Sequence, residues 1–262
     1  MTLDLFVRGR TALVTGASGG LGAEMARQLG AAGARVLLVA RTEAALAEVA
    51  ADVRAAGGEA RTLVADLEAP DAAAALVARL GEPVDVLVAN AGFGVRAAFA
   101  ETDPAAVRGM VMLNVHALTD LTRLLLPAML SARRGGVLTV ASTAAFVPAP
   151  TFAVYAATKA YVLSLTDALH AEVSGSGVHV TCLCPGPVPT GFGARAGMQA
   201  SFFASALSGS LPAGRVVRDG LVGLARNRRR VVPGTLNKVQ SVATRFVPTG
   251  PTMRVAQAVL GR

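Results

Sequence analysis

Six short runs of this chain are apolar almost from end to end: "RTALVTG", "ARVLLVA", "ARTLVAD", "VDVLVAN", "GGVLTVAS" and "GVHVTCLCPG". A strand with one face in water alternates apolar and polar side chains. A strand that is apolar throughout must be covered on both faces. The segments between the runs carry helical spacing instead. "LGAEMARQLGAAG" reads as a helix closed by Gly33, and "TEAALAEVAADVRAAGG" has Thr42 as candidate N-cap and Gly57 as its stop. "PDAAAALVARLG", a long helix from about 103 to 132, and the stretch "FAVYAATKAYVLSL" complete the alternation. Strand and helix in turn predict an α/β fold: a doubly wound parallel sheet with helices on both faces. Ligands in such sheets bind at the carboxyl ends of the strands, near the switch in strand order. Beyond Pro185 the rhythm breaks up. Segments 186–212 and 234–262 read as additions, a substrate lid and a C-terminal extension of a single domain spanning 1–262.

Composition excludes several classes. With 53% hydrophobic residues the chain is globular rather than disordered. "MTLDLFVRGR" has acid and base but no apolar core of a signal peptide, and no apolar run approaches the roughly 18–20 residues of a membrane span. A cytoplasmic location is expected. The two cysteines, Cys182 and Cys184, lie i, i+2 on a strand, so both face one way as buried thiols. The net charge of +8 is concentrated late in the chain. From Arg215 to Arg262 ten basic residues accompany one acid, Asp219. "RNRRR" (226–230) is expected to be a solvated basic surface. A weak peripheral membrane contact is the lesser reading, and no nucleic-acid motif accompanies it.

The first strand runs into "TGASGGLG", residues 15–22, which opens a helix. That context suits a dinucleotide: Gly16, Gly20 and Gly22 let the backbone approach a pyrophosphate, and the helix N-terminus faces it. Gly19 is also present, so TGxxxGxG and TGxxGxxG both fit. At the end of the second strand stand Ala40 and Arg41. A carboxylate there would bind the ribose 2′-OH of NAD. Its absence, with a guanidinium next to it, favours NADP(H) over NAD(H). Asp66 is placed to accept from adenine, and "NAG" (90–92) forms a compact turn beneath the cofactor.

Tyr155 and Lys159, in "YAATK", share a helix face one turn apart. An ammonium beside a phenol, whose ordinary pKa is about 10, favours the phenolate and is expected to lower that pKa towards working pH. That would make Tyr155 a general acid/base. Ser142, ending the preceding strand, would hydrogen-bond a substrate carbonyl. Asn114, at an apolar seam of the long helix, would hold a water connecting Lys159 to solvent.

Together these motifs resemble the classical short-chain dehydrogenases/reductases, a family with a Rossmann-type sheet. The likeness runs from about residue 9 to 190 through "TGASGGLG", Asp66, "NAG", Asn114, Ser142, "YAATK" and "PGPVPT" in family order. It implies Asn114, Ser142, Tyr155 and Lys159 as a catalytic tetrad. It implies Thr190 at the nicotinamide carboxamide, with Pro185, Gly186 and Val188 shaping that wall. It extends the cofactor site to Ser18, Leu21, Leu67, Asn90, Ala91 and Gly92, and it favours the classical glycine spacing. One departure is that Ser18-Gly19 replaces the basic residue that many NADP-preferring members carry in the glycine motif, which leaves Arg41 as the main partner for a 2′-phosphate.

The resemblance implies an oxidoreductase acting on a carbonyl or alcohol without a metal, and a homodimer or homotetramer. A catalytically silent cofactor-binding scaffold is the alternative. Phe93, Phe146, Phe192, Phe202 and Phe203 are expected to wall a lipophilic or aromatic substrate, with Gly191, Gly193 and Gly197 permitting lid movement. His116, His170 and His179 are expected to be structural, and Tyr161 to serve packing or an interface.

Overall fold

Side chains of the central strands part to opposite sides. In β1 (Thr11–Thr15), Ala12 and Val14 enter one core while Leu13 enters the other. β2 (Arg35–Ala40) does the same with Val36 and Leu38 against Leu37 and Val39. The computed structural model, which describes residues 1–197, 209–244 and 250, therefore has a hydrophobic core on each face of a sheet, with a smaller buried cluster around Met110, Phe152 and Tyr155. The remaining strands are β3 (Glu59–Val64), β4 (Val86–Ala89), β5 (Gly135–Val140), β6 (Val178–Leu183) and β7 (Arg230–Val231). All pairs are parallel, in the order β3-β2-β1-β4-β5-β6-β7. The order reverses between β1 and β4, which opens a crevice at their carboxyl ends.

One face is covered by α1 (Leu3–Val7), α2 (Gly20–Ala31) and α3 (Glu43–Ala55), the other by α4 (Ala72–Ala78), α6 (Leu118–Ser131) and α7 (Ala153–Glu172), while α5 (Pro104–Val111) packs through Met110 with Phe152 and Tyr155. Leu29 and Leu46 on the first face, and Leu76 and Leu121 on the second, are fully buried. Each such side chain contributes roughly 1.5–3 kcal/mol. Gly33 and Gly57 close α2 and α3 with φ of +88° and +84°, a region in which a Cβ is strained. No helix among the described residues is long and apolar enough to cross a membrane.

Three features differ from the sequence reading. The helix expected over 103–132 is continuous, but Met112–Ala117 between α5 and α6 is a π-helical turn. The alternation also continues past Pro185. After α8 (Gly191–Arg195) come α9 (Ala213–Ala225), packed on the α2 face through Val217 and Leu221, and then β7. "RNRRR" is only partly the solvated surface expected. Arg226, Arg228 and Arg229 are exposed, but Arg230 forms β7 and grips Asp167 of α7 through its Nε at 2.9 and 2.8 Å. α10 (Thr235–Ala243) lies within the C-terminal extension.

Candidate active site

A cleft of about 1140 Å³ opens over the crevice between β1 and β4. Its floor is the glycine turn. Gly16 has φ +66°, and a Cβ there would stand 2.9 Å from both Ala91 Cα and Asn90 Nδ2. A Cβ on Gly22 would lie 2.2 Å from the Gly16 carbonyl oxygen, so α2 presses directly on the exit of β1. Gly20 has φ +55°, whereas Gly19 has extended backbone and open space. The constrained glycines are thus 16, 20 and 22, which settles the spacing as TGxxxGxG. No side chain caps α2, so its first N–H groups remain available to an anion. The β4 turn is tied to the same floor. Thr15 Oγ1 accepts from the backbone N–H groups of Asn90 and Ala91 at 3.0 Å each, and Asn90 Nδ2 donates to the Thr15 carbonyl at 2.9 Å. A cradle without Cβ atoms, beneath free helix N–H groups, fits a dinucleotide pyrophosphate. Ser18, Leu21 and Gly92 line the same cleft.

At the end of β2, Ala40 and Arg41 line the cleft with Asp66 and Leu67. The end of β2 carries no carboxylate, as its sequence shows, but the fold brings one to Arg41 from beyond β3. Arg41 Nη1 donates to Glu68 Oε1 at 2.9 Å. Glu68 is fixed in turn by its backbone N–H, which donates to Asp66 Oδ1 at 3.1 Å.

Ser142 follows β5 by two residues. The Thr143 N–H donates to the Pro185 carbonyl at 2.8 Å, and the Ser142 hydroxyl accepts from Ala144 N–H at 3.2 Å. α7 brings Tyr155 to the same cleft. The Tyr155 ring lies between Phe152, 4.3 Å away centroid to centroid, and Phe192, 5.4 Å away. Burial among these rings pushes the phenol up to about 12, and the facing Ser142 hydroxyl only partly opposes it. This overturns the expected lowering. Lys159 Nζ lies 5.7 Å from the Tyr155 ring centroid and donates to the Val140 carbonyl at 2.8 Å. Burial takes the lysine down to about 8, partly offset by the sulfurs of Cys182 and Cys184. Those two thiols face one way, as expected, with Sγ atoms 3.7 Å apart.

Asn114 stands behind the cleft, fully buried in the π-helical turn. Its Oδ1 accepts from Phe93 N–H at 3.1 Å, while Nδ2 donates to the Phe93 carbonyl at 2.9 Å and to Thr158 Oγ1 at 3.0 Å. A Cβ on Gly92 would meet Asn114 Oδ1 at 2.8 Å and Lys159 Nζ at 3.3 Å, so both polar ends converge on that glycine.

Pro185, Gly186, Val188 and Thr190 form the opposite wall, and Thr190 packs over Gly20. Phe146 and Phe192 line the cleft. Phe93 does not. Its ring packs against Gly109 of α5, and its backbone serves Asn114. Phe202 and Phe203 lie outside the described residues. The sequence reading missed Phe152, which stacks on Tyr155, and missed Gln240, Ser241 and Thr244, which bring the C-terminal extension to the cleft. Phe152 was legible in principle, three residues before Tyr155. The C-terminal residues carried no motif. The three histidines make local contacts: His116 with Asp120, His170 with the Val180 carbonyl and His179 with the Leu224 carbonyl.

Fold and cleft together define a doubly wound α/β protein with a dinucleotide cradle and a Tyr–Lys pair beside it. The family model of short chain dehydrogenases matches residues 10–200, and the chain belongs to that family. Among its relatives, the ketoacyl reductase HetN of Nostoc sp. is 38% identical over 183 residues, 69% of this chain and 64% of that one. A very-long-chain 3-oxoacyl-CoA reductase of Phaeosphaeria nodorum is 37% identical over 184 residues, 67% of this chain. The alignment covers only 54% of that relative, so the chain spans between half and two thirds of these proteins' length. Among solved structures, a short-chain dehydrogenase from Sphingobium yanoikuyae in complex with NADPH superimposes with TM-score 0.82 and 30% identity, covering 93% of this chain and 95% of that one.

Proposed function

We propose that the chain is an NADP-dependent oxidoreductase acting between a carbonyl and an alcohol on a lipophilic or aromatic substrate. The observation that carries the reading is the convergence of Ser142, Tyr155 and Lys159 on the cleft that also holds the glycine cradle and Arg41. The Sphingobium relative binds NADPH, and two relatives are named for ketones on acyl chains. The walls formed by Phe146, Val147, Ala149, Phe152 and Phe192 suit such apolar groups.

When bound, the nicotinamide supplies or accepts hydride at its C4. Ser142 holds the substrate oxygen and Tyr155, protonated at neutral pH, donates its phenolic proton to it. Lys159 holds the ribose hydroxyls and passes the replacement proton, with Asn114 supporting the route to solvent. Arg41 meets the 2′-phosphate and Thr190 the carboxamide. Residues 186–212 are read as the lid of a single 1–262 domain in a cytoplasmic enzyme, although 198–208 lie outside the described residues. The intact Ser142–Tyr155–Lys159 set argues against a silent scaffold.

Titration of the purified protein with NADPH and NADH, followed by a panel of ketones, tests this. NADPH should bind at least about ten-fold tighter, a difference of roughly 1.4 kcal/mol. Arg41→Ala should erase most of that preference, and Ala40→Asp should favour NADH. Equal affinity for both cofactors would refute the cofactor assignment. A panel in which only small polar or phosphorylated carbonyls react would refute the substrate class.

A further inference from the structure

The adenosine end of the cleft holds more negative charge than its sequence pattern shows. Two carboxylates, Asp66 and Glu68, and one guanidinium, Arg41, line it together. Arg41 is committed to Glu68 at 2.9 Å, with the guanidinium side chain 62% exposed and the carboxylate 29%. Glu68 is not a loose surface acid. Its backbone is tied to Asp66, and its Oε2 occupies the space that a Cβ on Gly109 would enter, at 2.8 Å. Packing against α5 thus holds the carboxylate on the cleft side, and it is the flexible arginine that comes to it.

We infer that Glu68 is a specificity-determining residue of the cofactor site, competing with a ribose 2′-phosphate for the Arg41 guanidinium. The inference rests on the NADP reading above. A 2′-phosphate carries close to two negative charges and must either share Arg41 with Glu68 or displace it, next to a fixed like charge. A ribose 2′-hydroxyl meets no such repulsion. Glu68 therefore weakens NADPH selectively and narrows a preference that Arg41 alone would make wider.

Binding can be read without turnover, from the fluorescence of reduced nicotinamide titrated with Glu68→Gln and Glu68→Met. Both keep the length of the side chain and remove its charge, and Met also removes hydrogen bonding. Each should tighten NADPH at least about three-fold while NADH changes less than about two-fold, and the gain should shrink as salt rises. Arg41→Ala should weaken NADPH less when Glu68 is present than in the Glu68→Gln background, because Glu68 already holds part of the guanidinium. Unchanged NADPH affinity in both single variants would overturn the inference. So would weaker binding in both with an unaltered melting temperature, since Glu68 would then be assisting Arg41. If the unmodified protein binds NADH more tightly than NADPH, the cofactor reading fails. The change in the NADPH/NADH ratio on removing Glu68 still decides the role of Glu68.

Discussion

Burial works against charge at both members of the Tyr155–Lys159 pair. The phenol stays protonated to about pH 12 and the ammonium is held only to about pH 8. On the proposed mechanism Tyr155 would keep its proton to donate across the neutral range, and Lys159 would set the titration of the site. Reductive kcat should hold below about pH 8 and fall above it as Lys159 loses its charge, which a pH profile with a saturating ketone will show. Tyr155→Phe keeps the ring and removes the proton. Its turnover should drop by about 10² or more, with NADPH still bound. The sign of the stability effect follows from proton counting. Between about pH 8 and 10.5 the unfolded chain holds more protons on this lysine than the folded one, so stability rises with pH through that window. Below it the full cost of the buried ammonium remains, roughly 3 kcal/mol. Lys159→Met removes that cost, less the lost bond to Val140. At pH 7 it should raise the melting temperature by several degrees while abolishing turnover; an unchanged or lower Tm would contradict the cause assigned here. The spacing of "YAATK" made the partnership legible, but it could not show Phe152 and Phe192 closing on the ring. Glu68 was equally invisible as a partner of Arg41, because the two meet only once β2 and β3 have paired.

At the scale of elements, periodicity carried the six long strands and the helices between them, because two buried faces leave a strong apolar signal. The π-helical turn at Met112–Ala117 left none, since one extra residue per turn hardly disturbs an apolar pattern, yet it is this turn that aims Asn114 at Phe93 and Thr158. β7, two residues long, is too short to read. α9 was readable, with Val216, Val217, Leu221 and Leu224 at helical spacing. α10 shows what the region beyond the family match adds. Its Asn237 is buried and Nδ2 donates to the carbonyls of Gly209 and Pro233 at 2.9 and 2.8 Å. The same side chain fills the space of absent Cβ atoms on Gly186 and Gly209, clamping both roots of the proposed lid. Asn237→Ala leaves those carbonyls unpaired, a cost of about 1–3 kcal/mol each. Melting temperature should fall and KM for ketones should rise. Asn237→Asp should be worse than Ala, because a carboxylate would face two carbonyl oxygens. A variant with normal Tm and KM would show that the clamp is dispensable.

Among the described residues, one side of the second helical layer carries exposed apolar side chains. α6 and α7 bury one face on the sheet, but Leu124 and Leu130 of α6 and Tyr161 of α7 are exposed, as is Val111 of α5. The outward stripe of α7 is otherwise small: Ala153, Ala157, Ala160, Ser164 and Ala168 are exposed too. Small residues let a second helix approach closely, and large apolar ones at the margins supply the area to bury. Tyr161 has a polar end satisfied within the chain, its hydroxyl 3.1 Å from Thr119 Oγ1, so its ring is free to pack against a neighbour. We propose that this layer pairs with its copy in a homodimer or homotetramer, an assembly that needs about 1,200–2,000 Å² of total buried surface per stable interface. Light scattering at micromolar concentration should report two or four chains. Ala157→Arg, which sets a long charge in the middle of the stripe, should shift the protein towards the monomer while NADPH still binds each chain. A stable monomer of the unmodified protein at that concentration would sink the proposal. Unchanged assembly of Ala157→Arg would move the interface away from α7.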